Sequence, residues 1–249
     1  MTEGWLIRIV EEFWTRAGGP EPFPRDLEQP ILWALPLAIL KLPRLSVSDV
    51  EAWLQQRGIA FQLDGANRPL RGCLVAYGGR GCVLLDGADH EDERRFSLAH
   101  ETAHFLLDYL QPREQAVAQL GAGILEVFDG LRGPTVDERV GAVLGHASIG
   151  VHTHLMERQP DGVLGCGRIV GAESRADRLA LELLAPAAEV QRRVTRFQQP
   201  SSFRGGVDLA VEVLASDFGL PAGVAWPYAK LIMRSWRGGP SFHEWLGIE

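Results

Sequence analysis

The sequence predicts an α+β fold: a small antiparallel sheet packed on one central helix, with a helical insertion after it and a helical appendage at the C-terminus. Three observations carry this. Two apolar runs, RGCLVAY (71–77) and GCVLLDG (81–87), flank a Gly78-Gly79 turn and read as a β-hairpin. Directly after them, RRFSLAHETAHFLLDYL (94–110) spaces Phe96, Ala99, Ala103, Leu106, Leu107 and Leu110 as a helical stripe. The rest of the chain is divided by glycine and proline into segments of helical length.

Taken in order, residues 4–17 read as a helix, followed by the turn GGPEPFP. ILWALPLAILKL (31–42) is too short to span a membrane and holds Pro36, so it reads as core. Ser46-Val47-Ser48-Asp49 opens a helix that runs to about Arg57 and closes at Gly58. Residues 59–63 alternate like a short strand. The central helix is predicted over 91–110, with Glu91, Asp92 and Glu93 favourable to the dipole of its first turn. Beyond Pro112, residues 113–130 and 136–157 read as helices separated by Gly133-Pro134. A loop, QPDGVLGCGRIVGA, leads to a helix over 173–184 that stops at Pro186. Residues 206–218 and 221–236 form a final helical pair.

The chemistry lies in His100-Glu101-Thr102-Ala103-His104. Histidines four apart share one helix face, so both imidazoles can reach one metal ion. Glu101 then stands where it can take a proton from water at that ion, the arrangement of a zinc hydrolase. Catalytic zinc usually takes a third protein ligand. Glu173 is the best candidate, with Asp177 one turn on to receive an imidazole N–H. The same spacing also suits an ordinary charge-decorated surface helix.

Composition narrows the rest. The chain of 249 residues is 46% hydrophobic and 23% charged, as expected of a globular protein. A net charge of −7 argues against broad affinity for nucleic acid. Cys73, Cys82 and Cys166 are too few and scattered for a disulfide framework, and the start of the chain lacks the pattern of a secretion signal. A cytoplasmic location without membrane attachment is the expectation. Cys166 precedes Glu173 by seven residues, so its thiolate is a candidate inhibitory ligand. His146, His152 and His154 read first as surface residues, with donation by one of them to a tetrahedral oxyanion as the alternative. Arg192, Arg193, Arg196 and Arg204 read as a solvated basic face by default, with a nucleic-acid contact as the alternative.

Residues 96–107, FSLAHETAHFLL, resemble the "FTLAHELGHLLL" helix of the ImmA/IrrE family of bacterial metallopeptidases. ESRADRLALELLAP (173–186) resembles that family's ExxAxxFAxxLLxP signature, and LASDFGLPAGVA (214–225) its LAxxFxVSxxA unit. The resemblance implies His100, His104 and Glu173 as zinc ligands and Glu101 as catalytic base, with Asp177 at a position often Asn or Asp. It implies a substrate as well: a specific helix-turn-helix repressor, cleaved to release a stress, DNA-damage or phage-defence operon. Nucleic acid would enter only as an activating signal. The 68 residues between His104 and Glu173 exceed the family's usual spacing. The expected organisation is therefore a metallopeptidase domain over 1–195 carrying a helical insertion at 113–168, then a C-terminal helical unit over 196–249. The insertion is expected to cover the cleft in part, and the substrate to add as a strand at the hairpin edge. Two rivals stand beside a peptidase: a zinc-containing module that sequesters its partner, and a DNA-binding regulator.

Overall fold

The computed structural model describes residues 4–63, 65–139, 149–158, 172–197 and 202–239. The hairpin forms as expected. Strands β2 (Leu70–Tyr77) and β3 (Arg80–Asp86) pair antiparallel, and Gly78 and Gly79 supply φ of 60° and 76° at the tight turn. Both strands read as unbroken apolar runs because both faces of the sheet are covered. Leu74, Ala76, Val83 and Leu85 face the main core. Cys73, Val75, Cys82 and Leu84 face a second cluster built on Val50 and Leu54 of α3 (Val47–Gln56). Burial raises the thiol pKa of both cysteines, Cys82 to about 11, so they act there as small apolar side chains.

The α+β class is the one predicted, and the sheet is larger than the hairpin. Residues 31–42 divide at Pro36 between α2 (Glu28–Ala34) and β1 (Leu37–Leu42), which pairs parallel with β3. Helix α3 leads to β2, which runs opposite to β1, and the hairpin turn then returns β3 in the direction of β1, so the sheet is mixed. Residues 59–63 form no strand. Ile59 and Phe61 pack beside α3, and the Leu63 amide donates to the Glu51 carboxylate instead of a ladder.

The largest correction concerns residues 152–157. They were expected to be helical but form β4 (His152–Glu157), antiparallel to β2, giving the order β1-β3-β2-β4. The free edge of β2 offers a ladder that the segment's local pattern does not announce.

Helix α4 (Glu91–His104) continues through a π-helical stretch (Phe105–Leu110) into α5 (Gln111–Leu120) without stopping at Pro112. Pro112 follows directly on the π-helical turn, whose wider spacing accommodates a residue without an N–H inside a continuing helix. A short α6 (Ile124–Phe128) follows. Arg113 bonds Asp129 at 2.7 Å and Tyr77 donates to the Asp129 carbonyl, which ties this segment to the hairpin.

From Phe96 to His104 every residue of α4 is buried, since the sheet covers one side and α7 (Ala172–Leu184) the other. Helices α8 (Ala187–Phe197), α9 (Phe203–Ser216) and α10 (Ala222–Arg237) complete the described chain. One apolar cluster runs from Leu6 and Ile9 of α1 (Gly4–Ala17) through Phe96 and Leu183 to Val213 and Met233. Tyr228 also donates to the Ala185 carbonyl, and Arg95 to that of Gly219. Arg193 of the basic face is paired with Glu189 and Asp217. No helix among the described residues is long and apolar enough to cross a membrane.

Candidate metal centre

Each functional side chain is held by an element whose placement is fixed elsewhere. Burial of α4 sets His100, Glu101 and His104 beneath β2. Helix α7 crosses α4 with Leu179, Ala180 and Leu183 in the core, which turns Glu173 and Asp177 toward the histidines. The result brings His100, Glu101, His104, Glu173 and Asp177 together, as the sequence expects. Cys166, the candidate inhibitory ligand, and His146 lie outside the described residues, as does the segment joining β4 to α7.

The hydrogen bonds fix the direction of the imidazoles. His100 Nδ1 lies 2.9 Å from Asp177 Oδ1, and His104 Nδ1 lies 2.6 Å from Asp108 Oδ2. Carboxylates accept, so each Nδ1 carries a proton, and Nε2 is the nitrogen that offers a lone pair once the ring is neutral. Those two Nε2 atoms are 3.1 Å apart. Glu173 faces them, with Oε2 3.4 Å from His100 Nε2 and Oε1 3.6 Å from His104 Nε2. Two lone pairs and a carboxylate converge on one point. Ligands about 2.0–2.1 Å from a tetrahedral ion stand roughly 3.3–3.4 Å from one another, so this donor set fits such an ion.

Two participants were missed or undervalued. Asp108 orients His104 from one turn along the chain, and its i+4 spacing was a readable signal. His154 was left most simply as a surface residue, yet it is half-buried within the cluster. Its Nδ1 is 3.0 Å from Glu101 Oε2, its Nε2 is 2.9 Å from Glu173 Oε1, and its ring stacks on His104 at 3.6 Å. The alternation His152, His154, Met156 could have revealed it, because that period of two fits a strand.

The electrostatics follow from the crowding. Burial opposes protonation of His100, but hydrogen bonds to Asp177 and Glu173 raise its pKa to about 9. Burial likewise opposes protonation of His154, while Glu101 and Glu173 raise it to about 10. Hydrogen bonds from His100, His104 and His154 hold the Glu173 carboxyl far below the usual range. Glu101 is wholly buried, and its Oε1 has no hydrogen-bond partner. A Cβ at Gly72 would stand 3.1 Å from Glu101 Cγ, so the glycine leaves room for this carboxylate beneath β2. A buried, unpartnered carboxylate oxygen beside converging lone pairs is the polarity that a cation and a water would satisfy.

A buried HExxH helix under a small sheet, with a glutamate from a crossing helix, defines a metallopeptidase-like protein. Residues 56–122 match the family model described as Peptidase_M78, IrrE N-terminal-like domain, which supports the ImmA/IrrE family. Neither a search of curated proteins nor one of solved structures found a significant match. The matched stretch holds β2, β3 and α4 but ends before β4 and α7, so His154, Glu173 and Asp177 come from outside it.

Proposed function

We propose that this protein is a cytoplasmic zinc-dependent endopeptidase, with His100, His104 and Glu173 as metal ligands and Glu101 as general base. The observation that carries the reading is the convergence of two Nε2 lone pairs and the Glu173 carboxylate, each imidazole fixed by its own aspartate. Zinc, when bound, would supply Lewis acidity to a scissile carbonyl. Glu101 would remove a proton from the attacking water as oxygen bonds to the carbonyl carbon. It would then deliver that proton to the amine nitrogen as the C–N bond breaks. Asp177 and Asp108 would hold His100 and His104 in the ligating tautomer. The resemblance favours a helix-turn-helix repressor as substrate, and a role in releasing a stress or defence operon.

The test is Glu101→Gln. An amide cannot accept the proton, so cleavage of a candidate repressor should fall by about 10²- to 10⁴-fold while metal content stays unchanged. Undiminished cleavage rules out the mechanism, and undiminished biological activity without cleavage identifies a sequestering module instead.

A further inference from the structure

The expected route for substrate was strand addition to the hairpin, but both hairpin edges are already paired: β3 with β1, and β2 with β4. β4 lies antiparallel along β2 as an extended peptide would. In its register His154 stands opposite Leu74 and Met156 opposite Gly72. Leu74 faces the main core under which α4 lies, and side chains opposite one another share a face. His154 is therefore aimed at the metal centre, while Leu155, on the other face, packs with the α3 cluster.

His154 repeats the hydrogen-bonding pattern of the other two histidines, and its ring turns out of its stack on His104 for both lone pairs to meet one ion. Its Nδ1 faces a carboxylate, Glu101, as those of His100 and His104 face Asp177 and Asp108. Its Nε2 is turned to Glu173, the carboxylate shared by all three rings. One donor atom each from His100, His104, His154 and Glu173 lies within 4.8 Å of all the others. Carboxylate behind, lone pair in front, is the pattern of a metal-bound imidazole.

We propose that His154 is a fourth ligand of the metal ion, carried by β4, so that the resting protein holds its ion in a closed site of three histidines and Glu173. This rests on the metal-site reading above. The closed site uses Glu101 as the acceptor that orients His154, and it fills the position a catalytic zinc leaves open. A peptide would reach the ion only after β4 leaves β2, which removes the fourth ligand, frees Glu101 and exposes the pairing edge in one movement.

X-ray absorption at the zinc edge of the zinc-loaded full chain counts the imidazoles directly. Three at about 2.0–2.1 Å are expected, and two would overturn the proposal while leaving a conventional open site intact. A chain that binds no zinc would overturn both readings. The second arm is His154→Ala loaded with Co²⁺. Its affinity for the ion should fall by at least about 10-fold, and its absorption spectrum should become sensitive to added azide as a position opens. Unchanged affinity and spectrum would overturn the proposal. Should that variant not fold, the absorption measurement on the unaltered chain decides alone.

Discussion

Helix α4 and strand β4 deliver histidines to the same point by different means. The α4 segment from Phe96 to His104 is buried on every side, clamped between the sheet and α7. Among the described residues β4 pairs with one strand only, and its residues His152 to Met156 are half-buried. The helix therefore supplies a preorganised pair of imidazoles. The strand supplies a third imidazole from the element that can leave at least cost, since edge elements with few buried contacts open first.

The largest expected effect separates the two carriers through protons. The His100 pKa near 9 and the His154 pKa near 10 mean that both rings hold a proton at pH 7 in the metal-free chain. An incoming ion must displace them, so affinity should weaken as pH falls below about 9. Displacement from α4 alone gives a slope of about 10-fold per pH unit, and from both carriers about 100-fold. Titrating metal affinity between pH 7 and 9 distinguishes them.

Next comes the clamp. Phe96→Ala empties a buried site in α4 and should cost about 3–5 kcal/mol in denaturant unfolding. A loss below about 1 kcal/mol would show that α4 is not the rigid member of the pair. Asp177→Asn keeps the shape but weakens the acceptor behind His100, and should lower metal affinity by about 10- to 100-fold with little change in melting. The smallest effect is on the strand. Leu155→Ala trims a half-buried contact and should destabilise β4 by about 1 kcal/mol. Hydrogen exchange should quicken roughly 5-fold in β4 and not in α4; equal acceleration in both would mean that strand and helix open together.

The same contrast explains what could be read in advance. The α4 histidines lie four residues apart on one helix, so local geometry alone places them. The Ser46/Asp49 capping box and the Gly78-Gly79 turn were legible for the same reason, since each is a short-range contact written in adjacent residues. Glu173 and Asp177 were half-legible: their spacing marks a shared face, but not what that face meets.

Sequence alone thus determined the hairpin, the HExxH helix and the shared face of its two histidines with Glu101 beside them, because those depend on contacts within a turn or two of chain. Only the tertiary structure decided that 152–157 is a strand, that β1 joins β3 in parallel, and that His154 reaches Glu101 over a sequence separation of 53. A strand's ladder is supplied by its neighbour, so β4 exists where β2 offers an edge, and no local propensity records that offer.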